Sequence, residues 1–531
     1  MKTTYKIIVF LFLVGGFTSC SDFLDEDPKG RLASKTFFTS KEDLAHSLTA
    51  LYSVVAGAEY TNNTTGTNFL AGDDISTHPG SNKQPLREYD QYDVSDNNSW
   101  MPDMWVNRWK IVKAANFIIN NASRTPDVSE EEITVAIAQA HFWRAFAYFY
   151  LVQSWGPVPI MLEEKIDYEA QLNTEEEIYN LIVNDLKIAE KGTPVLYTAE
   201  PYGRNGINIA VSQGAAKAML SYVYMAMAGW PLNKGVEYYK LAASKAEEVI
   251  DGVDNGTYYY RLLDEYKYVY SMEYNDKNQE VLLGIYYNRD RTPTMSVLND
   301  LLQDMKQAGW GDTNGEIRFW KDFPEGPRKE ATYLPKIMLS DGNLYDWWWD
   351  TTPASRVVVA PCFAKTAEGA TRGTEFDYTD PNAPYYIGDK MHQIVRLSEV
   401  YCWYAEALGR SGAVNLKAVE VLNKVRNRAD GKESNIYSIS MTPEQLAEAA
   451  YNEHGWEIAG YYYALAPRYR DMFRMNRVKN HFEYRKMNPE VEVAPGIFRK
   501  EAVPVTGSWS DSKMYIPYPY QDVTLNPNLK R

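Results

Sequence analysis

Between Gly72 and Trp100 the chain sets flat aromatic rings among hydrogen-bonding side chains: Tyr89, Tyr92 and Trp100 stand with Asp73, Asp74, Asn82, Arg87, Asn97 and Asn98. A pyranose has one comparatively apolar C–H face and a rim of hydroxyls. It is held by an indole or phenol beneath the ring and by amides, carboxylates or a guanidinium at its edge. Trp310, Trp320 and the run Trp347-Trp348-Trp349 offer similar surface further along. Three consecutive tryptophans cannot all face inward on a strand or a helix, because successive side chains point to different sides. At least one should be exposed or stacked on a partner. Trp100 and Trp347 lead the candidate ligand contacts, with Arg87, Asn98, Trp310, Trp320 and Trp348 beside them. The competing role for these tryptophans is to plug the core of their own loop region. Asp73-Asp74 suits turn capping or a bound cation as well as a ligand.

Other chemistry finds little purchase. The six histidines, at 46, 78, 141, 392, 454 and 481, show no His-Glu-x-x-His or comparable metal-ligand spacing. His141 lies in a core-like helical pattern and reads as a packed or hydrogen-bonded residue. There is no Gly-x-Ser-x-Gly elbow, and no Walker or dinucleotide loop with its flanking strand. A glycoside hydrolase needs two carboxylates at a set separation, and among 70 Asp and Glu the sequence does not single out a pair, so a surface glycan hydrolase or lyase gains no positive support. That class stays open as an alternative, as does a helical adaptor that docks only proteins.

The amino terminus sets the compartment. Lys2 and Lys6 precede an apolar run from Ile7 to Val14, then Phe17-Thr18-Ser19-Cys20 and an abruptly polar, acidic stretch from Ser21 to Asp27. This is the pattern of a lipoprotein signal over residues 1–19, and the run is well short of the roughly 20 residues a spanning helix needs. Cleavage before Cys20 would free its thiol for acylation, and more than one acyl chain makes such an anchor stable. The chain carries −15 overall and −17 once Lys2 and Lys6 are removed, which argues against nucleic acid or an anionic membrane surface as partner. With Cys20 committed to lipid, Cys362 and Cys402 allow one bridge at most. Cys402, inside an apolar helical pattern, reads as a buried free thiol.

The candidate residues need a scaffold, and the periodicity supplies paired helices. In Thr134–Trp155 the residues Val135, Ala138, Phe142, Ala145, Phe149 and Val152 fall on one helical face, and Gly156-Pro157 stops the helix. Residues 174–191 form its partner, with a Thr174/Glu177 capping box and Gly192 as C-cap. Further pairs are 207–228 with 236–251, 392–411 with 415–429 and, across a long loop, 41–57 with 104–122. The shared register of their second helices predicts a predominantly α, tetratricopeptide-like helix-pair scaffold. One domain is expected over 20–531, with helices in about 41–57, 104–251 and 392–429. The loop-rich regions at about 58–103, 252–391 and 475–531 are too aromatic, in a chain with 41 Tyr and 14 Trp, to be disordered linkers.

Six stretches in this order resemble one family. They are Phe23-Leu24-Asp25-Glu26-Asp27-Pro28 after Cys20; Ala140-His141-Phe142-Trp143-Arg144-Ala145 running to Trp155-Gly156-Pro157-Val158-Pro159; and Gly214-Ala215-Ala216-Lys217-Ala218 to Tyr224. The others are Arg396 to Tyr401 with Ala405-Glu406-Ala407; Leu422-Asn423-Lys424-Val425-Arg426; and Pro517 with Asn526-Pro527-Asn528-Leu529. Together they resemble the SusD/RagB-like nutrient-binding lipoproteins of the Bacteroidetes outer membrane. The resemblance implies a lipid-anchored protein facing the cell exterior that binds oligosaccharide or another nutrient. It would hand this to a SusC-like TonB-dependent transporter over whose mouth it sits, with no catalysis and no cofactor. The acidic run Asp25-Glu26-Asp27 is similar to the export determinants of such lipoproteins. One departure stands out: where the family commonly has Glu-Arg, this chain has Glu453-His454, then Glu457-Ile458-Ala459-Gly460, a Tyr-rich insertion and Arg470-Asp471-Met472-Phe473-Arg474. A local structural change is expected there.

Overall fold

The computed structural model describes residues 37–530 except 61–70, 166, 289, 291–294, 297–300, 302–305, 307–308, 350–357, 385–386 and 462–463. Cys20 and the signal lie outside the described residues. The described residues are predominantly helical, and their strands form only two-stranded sheets.

Nine helices make the scaffold: α1 (Lys41–Glu59), α2 (Met101–Asn121), α3 (Glu130–Trp155), α4 (Glu175–Gly192), α5 (Gln213–Ala228), α6 (Val236–Asp254), α7 (Leu397–Arg410), α8 (Leu416–Asp430) and α9 (Pro443–Ile458). Each from α1 to α7 packs on the next, and α7 also packs on α8 and α9, so one row of helices continues across the long interval between α6 and α7. All four expected pairs are in contact. Local chemistry starts the helices where it should: Ser40/Asp43, Ser129/Glu132, Thr174/Glu177 and Thr442/Gln445 form capping boxes before α1, α3, α4 and α9. Helix α3 is the centre. Every residue from Ala138 to Trp155 is buried, so the face read from spacing is one side of a helix enclosed all round. It ends at Gly156, whose φ of 70° suits only a residue without a Cβ penalty.

Several boundaries differ from expectation. Residues 392–396 are a strand, paired antiparallel with Val281–Ile285, and α7 begins only at Leu397. Ile207-Asn208 is likewise a short strand, and α5 begins at Gln213. Gly192 is the last residue of α4 rather than its cap. A Cβ there would stand 2.6 Å from the Ala138 Cβ, so the glycine permits close approach of α4 to α3. The Glu453-His454 departure produces no break, because both lie inside a regular α9. His454 Nδ1 meets Asp471 Oδ2 at 2.5 Å, so the imidazole and Asp471 make a local pair there. Cys362 and Cys402 are both buried and are not joined in a disulfide, and His141 Nδ1 meets Asp185 Oδ1 at 2.6 Å.

Candidate functional site

The irregular regions fold together as a lobe held to the scaffold by buried charge. Strand Ile75–Thr77 pairs with Thr313–Gly315, with Ser76 opposite Asn314, and Lys83 makes a buried ion pair with Asp312 beside that ladder. The first and second loop regions are thereby joined. Arg468 grips Asp73 through Nε at 2.7 Å and Nη2 at 3.1 Å, while Asp74 Oδ2 accepts from the Gly460 backbone N–H at 2.7 Å. Burial and the neighbouring Asp73 push the Asp74 carboxyl up to about 7. These two acids therefore tie loop to scaffold. Among the described residues no group of three or more His, Cys, Asp or Glu is placed to hold a metal ion.

A second bolt centres on Glu457 of α9. Its carboxylate accepts from Arg396 Nη1 and Arg328 Nη1, each at 3.1 Å, and from Arg428 Nη2. Arg428 belongs to α8, Arg396 to the strand before α7, and Arg328 to the short helix Pro327–Thr332 of the lobe. Burial alone would raise the Glu457 carboxyl; Arg428, Arg396 and Arg328 outweigh it and hold the group at about 2.

Around the short helix Gln84–Asp90 the first set of candidates comes together. Asn98 is buried, its amide donating to Pro85 O at 2.9 Å and Glu88 Oε2 at 2.8 Å and its oxygen accepting from the Trp100 and Met101 N–H groups. It is a turn residue spent on the backbone, which corrects its reading as a ligand contact. Arg87 is half-buried and uses Nη1 to hold the carbonyls of His78 and Gly80. Trp100 is half-buried at the start of α2 and packs on the main core.

The tryptophan run divides. Trp347, only 1% exposed, forms a small core with Ile317 and Val493, and its ring meets that of Trp320 edge-on at 4.9 Å. Its leading place among the ligand contacts is therefore overturned: the indole plugs the lobe. Trp320 and Trp348 are half-buried against this core, Trp320 lying under the Lys329 ammonium at 4.2 Å and Trp348 giving its carbonyl to Arg499. Trp349, absent from the leading candidates, turns outward with 46% of its surface exposed, and Trp310 is 49% exposed. Their loops are neighbours, since Lys306 donates its backbone N–H to Met338 O, and Met338 pairs with Leu344 in the turn leading to Trp349. The lobe thus carries two outward indoles, the Trp349 ring lying 6.0 Å from that of Tyr345.

A helical scaffold bearing a loop-built aromatic face defines the class of protein. Two family models match the chain: a SusD-like one described as "Starch-binding associating with outer membrane" over residues 22–225, and the SusD family over 370–531. A SusD-like protein of Bacteroides ovatus is 28% identical, covering 86% of this chain and 82% of that protein. SusD-like protein P25 of Formosa agariphila is 23% identical, covering 99% and 97%. A crystal structure determined with xylogluco-oligosaccharide superposes with a TM-score of 0.69 at 22% identity, covering 91% of this chain and 98% of that one. Over these stretches, and in its overall fold, the chain is similar to SusD/RagB-like proteins.

Proposed function

We propose that this protein is a cell-surface glycan-binding lipoprotein that captures oligosaccharide on its loop lobe and delivers it to a SusC-like TonB-dependent transporter, doing no chemistry on it. The observation that carries the reading is the outward placement of Trp310 and Trp349, rigid platforms for the C–H face of a sugar, on a lobe bolted to the scaffold by the Arg468–Asp73 and Glu457 clusters. Arg87, half-buried with Nη1 committed to the His78 and Gly80 carbonyls, would offer its remaining N–H groups to the sugar edge. The description of the matching family model as starch-binding, and the oligosaccharide in the related crystal structure, support the ligand class. Among the described residues no helix is long and apolar enough to cross a membrane, which suits attachment through Cys20.

The test is a glycan array with analysis of the recovered sugars. Retention without products supports the proposal, cleaved products would make the protein a hydrolase or lyase, and absence of both would leave a protein-docking adaptor. Replacing Cys20 with Ala should move the protein out of the membrane fraction or leave it unprocessed. An unchanged distribution would refute the anchor.

A further inference from the structure

Away from the tryptophan face, a cleft of about 240 Å³ opens between the turn Tyr266–Tyr270, the short helix Pro327–Thr332 with Leu334, and the segment 364–378. Lys365 and Lys390 line it and also line a smaller inner cavity of about 20 Å³. Lys365 is 97% buried, yet among the described residues its ammonium makes one long hydrogen bond, 3.4 Å to the Glu457 carbonyl, and no ion pair. The Tyr270 ring lies 5.2 Å from its Nζ. Lys390 donates to the carbonyls of Ala367 at 2.6 Å and Lys365 at 3.2 Å, and among the described residues it too makes no ion pair. A buried ammonium without a carboxylate is costly, and burial together with Arg396 drives the Lys365 amine well down despite Glu457 and Asp74.

The inner cavity adds a second signal. Its wall holds the Gln393 Oε1 and Tyr270 hydroxyl, both buried and, among the described residues, without a hydrogen-bond partner. The space is that of one water or one hydroxyl group, which needs about 10–15 Å³. Phe376 and Tyr378 wall the outer cleft, whose size is below that of drug-sized pockets and suits a single ring. Glu330 and Glu375 stand at the mouth, exposed, with Glu375 accepting from the Met272 N–H; they disfavour a polyanion while leaving room for one charge. The buried Glu368 is already engaged by the N–H groups of Asp389 and Lys390.

We propose that this cleft binds one hexuronic acid unit, its carboxylate received by Lys365 and Lys390 and one hydroxyl seated in the inner cavity between Gln393 and Tyr270. The site shares no residue with the Trp310–Trp349 face, so it stands or falls apart from the proposal made for that face. Calorimetric titration of the purified protein with D-glucuronate, D-galacturonate, D-glucose and acetate tests it. At least one uronate should bind ten-fold or more tighter than glucose and than acetate. Lys390→Met and Lys365→Met should each weaken that binding ten-fold or more, and Trp349→Ala should leave it unchanged. No uronate binding, equal binding of glucose, or unchanged affinity in Lys390→Met would overturn the proposal. Equal binding of acetate would also overturn it, because the sugar ring would then contribute nothing. Should Lys365→Met fail to fold, Lys390→Met, whose side chain is only half-buried, decides the matter.

Discussion

The scaffold and the loop lobe use the same side chain in opposite ways. In the scaffold Trp143, Trp155 and Trp403 are completely buried, and Trp155 Nε1 even reaches across to donate to Pro517 O at 2.9 Å. In the lobe one indole, Trp347, is buried, two are half-buried on it, and Trp310 and Trp349 look outward. A helix in the middle of a packed row has neighbours on every side and leaves its rings no exit. A loop lobe has a core only a few side chains deep, so rings in excess of that core become surface. The lesson is that an aromatic-rich loop becomes a binding candidate only after its own core has been subtracted.

Substitutions put this contrast to the test. The largest losses should come from the scaffold. Glu457→Gln leaves Arg328, Arg396 and Arg428 without their shared carboxylate and should cost about 3–5 kcal/mol in denaturant unfolding, the scale of breaking a buried ion pair. The sign of its pH dependence follows from the depressed carboxyl. With the folded group at about 2 and the unfolded one at the ordinary glutamate value of 4.5, its stabilisation is present above pH 4.5 and is lost as pH falls toward 2. The variant should therefore lose less stability than the wild type over that interval. Phe142→Ala, on the enclosed helix α3, should cost about 3–5 kcal/mol; a loss under about 1 kcal/mol would place Phe142 near the surface.

Smaller effects belong to the lobe. Trp347→Ala should cost about 3 kcal/mol at the lower end for a large buried ring, with faster amide exchange in Ile317–Asp322 and Val491–Arg499 and little change in α3. Faster exchange throughout α3 would mean that lobe and scaffold open as one unit. Asn98→Ala should cost about 0.5–2 kcal/mol through the lost cap on the Trp100 and Met101 N–H groups, with glycan affinity retained. Loss of affinity without loss of stability would return Asn98 to the binding surface.

The scaffold was legible because its signals are local. Thr174 and Glu177, the periodicity of α3 and the stop at Gly156 are all contained within a turn or two of chain. Where the signal is distant, reading failed. Strand 392–396 exists because Val281–Ile285, more than a hundred residues earlier, pairs with it, and the apolar pattern shared with α7 hides the change. Helix α9 did carry a local signature, Thr442-Pro443-Glu444-Gln445, that went unread. The candidate site was legible as a region and not as residues. That one of Trp347-Trp348-Trp349 must be exposed follows from backbone geometry, but Trp347 is the buried one only because Trp320, Ile317 and Val493 meet there. The spacing of Arg87 and Asn98 likewise carries no trace of the carbonyls that claim them.

On the proposed function, sugar is held by the outward indoles of a lobe whose core survives without them. The direct measurement is glycan affinity and melting temperature for Trp310→Ala, Trp349→Ala and the double variant, against the cognate oligosaccharide found on the array. Binding should weaken by about 1–3 kcal/mol for at least one single variant and more for the double, the scale of a lost stacked aromatic contact, while stability stays within about 0.5 kcal/mol of wild type. Full affinity in the double variant, or loss of affinity only in step with loss of stability, would contradict the account.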